Sequence, residues 1–477
     1  MDQKQATRRA FVTSLARAVA GVGFLPALPR AFAAANGVTI RKHPEMIVRS
    51  PSPLDLETPV HLLDSWITPN EAFYVRSHLP TPEVDITRWR LAVDGAVERR
   101  LALSIDELKQ FPKVEGVVTM ECAGNGRALF RPRMAGAQWV RGAVGTARWA
   151  GVRLADVLQK AGAGKSGLHV AFEAADQPIG NVPDFLRSVP IEKCLQPATV
   201  LAYEMNGEPL PVQHGFPLRV IVPGWEGAAC VKWLTGLRVQ DREADGPFMQ
   251  VAYRYPTRPV APGEAVSPGD MRVLTSVEVK SLITHPRRGA RFRPGDRVEV
   301  RGNAWSGEAE VARVEVSVDL GRTWTIAPMG QDRAPFAWRR FRYEWKAPER
   351  GSYVLMSRAT DSAGRAQPIV PQWNPSGYLY NALDQVRIEV AAGAAAPAYD
   401  PAYDDVRASP ASLPPGPGRE VADGACLACH DGTLITQQAL SRERWAAEVD
   451  KMIRWGAPVS NEQRERLIDY LFSNFPE

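Results

Sequence analysis

The chain has 477 residues, of which 45% are hydrophobic and 23% charged, and this composition is typical of a folded globular protein with room for about three domains. The net charge of +5 is spread over many arginines, so it is compatible with an anionic substrate or an acidic partner and gives no support to nucleic-acid binding. Five cysteines at irregular spacing exclude a disulfide-rich framework.

Residues 1–35 have the pattern of an export signal. Arg8 and Arg9 precede a short apolar stretch, and small residues of the kind that a signal peptidase reads follow it. The apolar stretch is too short for a membrane span. The arginine pair with Phe11 is similar to a twin-arginine signal, which exports proteins already folded around a cofactor; an ordinary basic n-region is the alternative. We expect a mature chain that begins near residues 34–36, has no stable membrane span and works in the periplasm.

Strands and short helices alternate in the region that follows. Residues 71–80 form an alternating segment that would place Arg76 and His78 on one face of a strand. Ser104 and Glu107 have the spacing of a capping box, which predicts the start of a helix. Further along, the pattern predicts a turn into an amphipathic helix at 149–158 and then strands at 169–174 and 218–222. The region is therefore expected to be mixed α and β.

Cys122 is the candidate centre of the chemistry. Three β-favouring residues, 117–119, lead toward this cysteine, and Ala-Gly-Asn-Gly then breaks the strand. The thiol is thus expected at a strand end beside a tight loop, where it can bind a ligand. Taken alone, such a cysteine is more often a small buried hydrophobe. Arg127 follows closely and offers a guanidinium group.

A second group of candidate residues lies in the stretch 201–234. It contains a bend at His214 and the cationic residues Arg219 and Lys232. Such donors suit a buried dianion, which must be paired and hydrogen-bonded, although isolated residues of these types would default to surface charges. The sequence has no glycine-rich nucleotide fingerprint, which fits a cofactor held by dispersed side chains.

From Met271 to Ala391 the pattern becomes all-β. Short alternating runs such as 297–301 and 353–358 are separated by Pro, Gly and Asp turns, as in a β-sandwich. Residues 393–418 are rich in Ala and Pro and are typical of a semi-stiff linker, so a further domain is expected after them.

Cys426, Cys429 and His430 form the C-x-x-C-H attachment motif for a c-type haem, with His430 as the proximal iron ligand; a zinc site or a disulfide is the alternative. The chain after His430 contains one methionine and no histidine, so Met452 is the natural distal ligand, and otherwise a core residue. It lies in a predicted helix over 443–455. His/Met ligation raises the haem potential, as an electron acceptor requires. A closing helix is expected to bury the apolar stripe Leu467, Ile468, Leu471 and Phe472.

The run 117–127 resembles the cysteine loop of the sulfite oxidase family of molybdenum enzymes, in which this thiolate ligates the metal. Residues 73–78, 201–234 and 248–256 resemble further segments of the family in the same order. The metal's identity rests on this resemblance, which spans roughly 73–385.

The resemblance and the haem motif together imply a multidomain protein. It is expected to contain an export signal (1–35), an α+β molybdopterin-binding domain (36–264), an immunoglobulin-like β-sandwich domain that permits a homodimer (265–392), an Ala/Pro-rich linker (393–418) and a small all-α cytochrome c domain (419–477).

The resemblance also implies the roles of individual residues. Cys122 ligates molybdenum. Arg76, His78, Arg127 and Tyr253 hold the substrate anion near the metal, with Tyr255 as a competitor for the tyrosine role. The pterin and its phosphate are bound by His214, Arg219 and Lys232. An aromatic belt between domains is the alternative for the tyrosines.

The implied activity is the oxidation of sulfite, or of a related sulfur oxyanion, with electrons passing singly through the protein's own haem c to an external cytochrome c. A sulfane dehydrogenase acting on carrier-bound sulfur is the first alternative. Vertebrate and plant members have Arg near Ser376, where this chain has Asn-Pro-Ser-Gly, as bacterial sulfite and sulfane dehydrogenases do. A reductase of oxidised methionine is disfavoured by the fused haem. A non-catalytic haem electron-transfer module is disfavoured by the presence of Cys122 and the cationic residues.

Overall fold

The computed structural model describes residues 41–163, 167–393 and 409–477. The predicted export signal and most of the predicted linker lie outside the described residues.

The first region consists of strands with a few short helices. Its strands are β1 (Ile47–Pro51), β2 (Leu54–Glu57), β3 (Leu91–Gly95), β4 (Leu101–Leu103), β5 (Lys113–Glu121), β6 (Val144–Arg153), β7 (His169–Ala174), β8 (Arg187–Pro190), β9 (Val200–Met205), β10 (Glu208–Pro209), β11 (Arg219–Ile221) and β12 (Leu234–Gln240). Its helices are α1 (Ile105–Leu108), α2 (Leu154–Ala161), α3 (Ile191–Cys194) and α4 (Pro247–Gln250). The mixed α and β prediction is confirmed here.

Two five-stranded sheets organise this region. One has the order β10-β9-β6-β5 with β11 paired to β9, and the other has the order β4-β3-β12-β7-β8. One buried apolar cluster contains residues of both sheets, such as Val93, Val152 and Leu237. Burial of this cluster is the main stabilising contribution, since each fully buried aliphatic side chain adds about 1.5–3 kcal/mol.

Local predictions in this region were correct where short-range chemistry decides the structure. Ser104 Oγ accepts a hydrogen bond from the Glu107 backbone N–H at 3.2 Å, and the Glu107 carboxylate accepts one from the Ser104 N–H at 2.8 Å, so the capping box is confirmed. Strand β5 ends at Glu121, directly before Cys122, as expected.

Two local predictions were wrong. Residues 71–80 do not form a strand; among them Val75 alone pairs, with Leu56 of β2, through backbone hydrogen bonds of 2.9 Å in both directions. The predicted turn at Trp149 is part of β6, because this side chain is buried against the core, and helix α2 begins only at Leu154.

The second region is an all-β sandwich, as predicted. A small sheet of β13 (Arg254–Pro256) and β14 (Met271–Val273) precedes it. Its strands are β15 (Lys280–His285), β16 (Arg291–Phe292), β17 (Arg297–Trp305), β18 (Val311–Ser317), β19 (Thr325–Ala327), β20 (Arg339–Lys346), β21 (Gly351–Asp361) and β22 (Asp384–Val390). The two facing sheets have the orders β15-β17-β20 and β16-β22-β21-β18-β19. Val300, Val314 and Ile388 are fully buried between them.

The C-terminal residues 409–477 fold into helices α5 (Arg419–Ala425), α6 (Thr433–Thr436), α7 (Arg442–Arg454) and α8 (Asn461–Asn474). Ser441 and Ser460 cap α7 and α8 with their hydroxyl groups. The apolar stripe of α8 is buried as predicted, except that Phe472 is 37% exposed.

A buried glutamine pair joins the C-terminal helices to the first region. Gln437 Nε2 donates to the carbonyl of Arg49 at 3.0 Å, and Gln437 Oε1 accepts from the Gln138 N–H at 2.8 Å. Gln438 Nε2 donates to the carbonyl of Gly136 at 3.0 Å. These bonds satisfy polar groups that would be costly to bury unpaired, so the contact is specific.

Among the described residues, no helix combines the length and the apolar character needed to cross a membrane.

Candidate functional site

A cavity in the first region brings together most of the predicted site residues. Its lining includes Arg76, His78, Cys122, His214, Arg219, Lys232 and Tyr253. Strand β5 delivers Cys122, the turn before β11 delivers His214, and the irregular segment after Val75 delivers Arg76 and His78. Residues far apart in the chain therefore share one site.

Cys122 is held in place by backbone hydrogen bonds. Its N–H donates to the carbonyl of Ala143 at 2.9 Å, and its own carbonyl accepts from the N–H of Asn125 at 2.9 Å. Burial raises the pKa of the Cys122 thiol to about 11, while the positive charge of Arg76 opposes this rise. The free thiol is thus protonated at neutral pH, and a bound metal would displace the proton.

Arg76 brings a positive charge into the cavity. Its guanidinium donates to the carboxylate of Asp55 at 2.9 Å and to the carbonyl of Ser77 at 2.7 Å. Burial raises the pKa of Asp55, and the charge of Arg76 opposes this rise. The pair anchors the guanidinium at one wall while part of Arg76 stays accessible from the cavity.

His78 and Tyr253 form a hydrogen-bonded pair, with 2.6 Å between the imidazole Nε2 and the phenol oxygen. Burial lowers the pKa of His78 and raises that of Tyr253 well above its ordinary value, so both groups are neutral near pH 7. Tyr253 has a φ of 55°, a left-handed conformation that is uncommon for a non-glycine residue and that marks a constrained site. Tyr255 does not line the cavity, so Tyr253 is the better candidate.

A second group of lining residues, called here the cationic corner, is formed by His214, Arg219 and Lys232. Arg219 donates to the carbonyls of His214 at 2.9 Å and Cys230 at 2.8 Å, and Lys232 donates to Ser77 Oγ at 3.0 Å. Burial, together with the charge of Arg219, lowers the pKa of Lys232 to about 7. The acceptors of these hydrogen bonds are neutral oxygen atoms, which do not cancel the positive charge of Arg219, whereas Lys232 is only partly protonated near pH 7.

Lys42 also belongs to this corner, and no pattern in the sequence pointed to it. Its Nζ lies 2.7 Å from His214 Nε2 and donates to the carbonyls of Asn70 at 2.7 Å and Phe73 at 2.9 Å. Burial, followed by the charge of Lys232, lowers the pKa of Lys42 well below its usual value.

The corner fits a bound anion such as the phosphate of a pterin cofactor. Within the described residues, the buried Nε of Arg219 has no hydrogen-bond partner, so it can donate to such an anion. No group of three or more His, Cys, Asp or Glu side chains that could hold a bare metal ion occurs in the described part of the chain.

Arg127 is not brought to the cavity wall. Its guanidinium donates to the carbonyls of Ser376 at 3.1 Å and Ala137 at 3.0 Å and lies over the ring of Tyr378. It is a buried support beside the cysteine loop, and its predicted contact with substrate has no counterpart in the lining of this cavity.

The C-x-x-C-H residues lie in the C-terminal helices. Cys426 and Cys429 are half-buried after the end of α5. The Nδ1 atom of His430 is 3.0 Å from the carbonyl of Asp431, an arrangement that leaves Nε2 as a metal-binding nitrogen. The residues present therefore fit a covalently attached haem.

Met452 lies half-buried in α7. Burial lowers the pKa of His430, and the charge of Lys451 also lowers it, so the residue next to Met452 is within electrostatic range of this histidine. The role of Met452 as the second ligand stays a prediction.

Aromatic rings surround the position of His78. Phe185 stacks on its ring at a centroid distance of 4.1 Å, and Phe248 meets it edge-on at 5.1 Å. Trp455, at the end of α7, lies 6.4 Å from Phe248. The C-terminal helices therefore approach the aromatic residues that flank the cavity.

Comparison with known proteins identifies the class to which this fold and site belong. Residues 78–248 match an oxidoreductase molybdopterin binding domain, and residues 271–391 match a Mo-co oxidoreductase dimerisation domain. The protein is a molybdopterin-type oxidoreductase.

Individual relatives identify the family within this class of oxidoreductases. The chain is 41% identical over 357 residues to sulfite oxidase of Gallus gallus, covering 72% of this chain and 77% of that protein. It is 31% identical over 380 residues to sulfite oxidase of Arabidopsis thaliana, covering 73% and 95%. The crystal structure of the sulfane dehydrogenase SoxCD from Paracoccus pantotrophus superimposes with a TM-score of 0.62 at 29% identity, covering 76% of this chain and 93% of that one. The chain belongs to the sulfite oxidase family.

Proposed function

We propose that this protein is an exported molybdenum-dependent sulfite dehydrogenase, which oxidises sulfite to sulfate and passes electrons singly through its own c-type haem to an external cytochrome c. The observation that carries the proposal is the shared cavity of Cys122, Arg76 and the cationic corner around Arg219. Membership of the sulfite oxidase family supports the sulfur chemistry.

The residues of the cavity divide the work of holding the cofactor. Cys122 would bind the metal as a thiolate, a soft donor. His214, Arg219 and Lys232 would bind the pterin and its phosphate, with Lys42 supporting His214. When bound, the molybdenum cofactor supplies oxygen-atom transfer together with a site that accepts two electrons.

Arg76, His78 and Tyr253 would receive the substrate anion. Arg76 attracts a negatively charged oxyanion, and Asp55 keeps its guanidinium in a fixed orientation. The neutral pair of His78 and Tyr253 can offer one hydrogen bond without adding charge. Because these groups are held before substrate arrives, little reorganisation is needed during the reaction.

The C-terminal helices would carry the electrons away. Cys426 and Cys429 would attach the haem, and His430 and Met452 would ligate its iron. The hydrogen bonds made by the buried glutamine pair support a helical domain that stays close to the molybdenum domain. A one-electron carrier next to a two-electron centre allows the electrons to leave one at a time.

Export to the periplasm and dimer formation complete the proposal. The pattern of residues 1–35 supports export, possession of a c-type haem motif suits a protein outside the cytoplasm, and the match of 271–391 to a dimerisation domain supports a homodimer.

The test is stopped-flow absorbance of the purified protein mixed with sulfite, with Cys122→Ser measured alongside. Fast reduction of the haem that is lost in Cys122→Ser is the expected result. A haem that stays oxidised in protein containing molybdenum and pterin would rule out sulfite as the substrate.

A sulfane dehydrogenase is the second candidate function. This candidate rests on the similarity to the sulfane dehydrogenase SoxCD structure, which superimposes with a TM-score of 0.62. Haem reduction by a protein-bound persulfide, and not by sulfite, would establish this alternative.

A further inference from the structure

Glu121, directly before Cys122, is a buried carboxylate with three hydrogen-bond donors. Its Oε1 accepts from Lys280 Nζ at 2.8 Å and from Asn125 Nδ2 at 2.8 Å, and its Oε2 accepts from Trp305 Nε1 at 2.8 Å. All four side chains are buried. Burying a carboxylate and an ammonium group is costly, and removing one partner is costlier still, so this network is sensitive to any change.

Two of the three donors come from the β-sandwich and not from the domain that contains Cys122. Lys280 begins β15 and Trp305 ends β17, and the two residues are register partners across the sheet. A single edge of the sandwich therefore presents both donors to the carboxylate of Glu121.

The third donor, Asn125, lies within the cysteine loop and forms further hydrogen bonds beside Cys122. The backbone N–H of Asn125 donates to the carbonyl of Cys122 at 2.9 Å, and Asn125 Oδ1 accepts from the N–H of Ala143 at 3.2 Å. Ala143 in turn accepts the hydrogen bond from the N–H of Cys122. Glu121 and Asn125 thus hold the backbone on both sides of the thiol.

The second region also contacts the cysteine loop directly. The N–H of Leu379 donates to the carbonyl of Ala123 at 2.9 Å. Gly126 has a φ of 98°, and a Cβ atom there would lie 2.5 Å from the side chain of Tyr380, so only glycine fits. The shape of the loop is thus determined by two domains together.

We propose that the β-sandwich holds the cysteine loop in its metal-binding shape through Glu121, which acts as a positioning residue for Cys122. The inference deepens the proposed function, since it rests on Cys122 as the molybdenum ligand. In addition to any role in dimer formation, the sandwich is then a part of the molybdenum site.

The test compares Lys280→Met and Glu121→Gln with the control Glu308→Gln in the full-length, cofactor-loaded protein. Glu308 of the second region pairs with Lys193 of the first at 2.7 Å, so the control also removes an ion pair between the domains, but one that does not contact the cysteine loop. The measurements are molybdenum content, the electron paramagnetic resonance spectrum of the Mo(V) state after sulfite reduction, and kcat and KM.

The expected result is an altered Mo(V) spectrum and a fall in kcat of about 10- to 100-fold, with KM nearly unchanged, for Lys280→Met and Glu121→Gln. Lys280→Arg, which retains the charge and the donors, should restore the spectrum. The control should match the wild type. Loss of molybdenum from Lys280→Met, with retention by the control, would also support the proposal.

A wild-type spectrum and kcat in both Lys280→Met and Glu121→Gln would overturn the proposal. So would equal effects in the control, because these would indicate a general loss of domain contact. If Lys280→Met does not fold, Glu121→Gln, which preserves size, decides the matter. Failure of the proposed function is distinguishable from failure of this inference alone. In that case the wild-type protein would lack molybdenum, or it would give a Mo(V) spectrum that Cys122→Ser does not change. Either result overturns both proposals.

Discussion

The two cysteine sites of this protein are built in opposite ways. In the C-terminal helices, the C-x-x-C-H motif occupies the consecutive positions 426–430, and its two cysteines are half-buried. The cavity around Cys122 is instead assembled from distant residues; the contact between His78 and Tyr253 alone joins positions 175 apart. The comparison teaches that a local motif can work as a separable unit, whereas residues of the assembled cavity depend on one another.

Among the substitutions that test how the cavity residues depend on one another, Arg76→Gln is expected to have the largest effect on activity and stability. It removes one anchored cation of the cavity and leaves Asp55 buried without its charged partner, so kcat/KM for sulfite should fall about 10²–10³-fold, and the free energy of unfolding should fall by about 3–5 kcal/mol. Steady-state kinetics and denaturant unfolding measure the two effects. The exposed Arg88→Gln is the matched control. A change in activity without a change in stability would contradict the inferred role of Asp55.

The pH dependence of cofactor-free protein gives the next test. The pKa of Lys232 is about 7 in the folded protein and near 10.5 in the unfolded chain, so between these values the unfolded chain binds a proton that the folded protein lacks. Raising the pH through this window should therefore increase the free energy of unfolding, by up to about 1.4 kcal/mol per pH unit. Lys232→Met should flatten the curve in denaturant titrations across this window. Superimposable curves would show that Lys232 is not forced toward its neutral form.

The C-terminal site should respond as a separable unit. In Met452→Leu the haem loses its proposed thioether ligand, and its midpoint potential should fall by at least about 60 mV, which is a tenfold change for a one-electron couple. Molybdenum content should stay at the wild-type level. Potentiometry and metal analysis test both statements, and an unchanged potential would remove Met452 from the ligand set.

The smallest expected effect is the coupling between His78 and Tyr253. His78→Asn and Tyr253→Phe each break the same hydrogen bond. When the losses of kcat/KM are expressed as free energies, the loss in the double variant should therefore be smaller than the sum of the two single losses by about 1 kcal/mol. A double-mutant cycle measures this coupling. Strictly additive losses would mean that the two side chains act independently.

The sequence was most informative where a function depends on neighbouring positions. The capping box of Ser104 and Glu107, the strand that ends before Cys122 and the helix that carries Met452 were all predicted and are present. Family resemblance added the residues of the cavity, which spacing alone could not have connected.

Other features depended on contacts that no local pattern contains. Lys42 reaches His214 across 172 positions, and nothing in its own neighbourhood distinguishes it from a surface lysine. Arg127 follows the cysteine loop closely in sequence, yet its guanidinium donates to the carbonyl of Ser376 and does not line the cavity.

By itself, the sequence determined the type of each domain in the family match, the C-x-x-C-H motif that we propose attaches a haem and the position of the candidate metal ligand, because hydrophobic periodicity, capping and turn chemistry act over a few residues. Only the tertiary structure decided which charges meet in the cavity, which arginine faces it, and that Lys280 and Trp305 of the sandwich bind Glu121. The physical reason is that burial removes water from these groups, so their pKa values and their hydrogen bonds depend on whichever distant side chains the fold brings within reach.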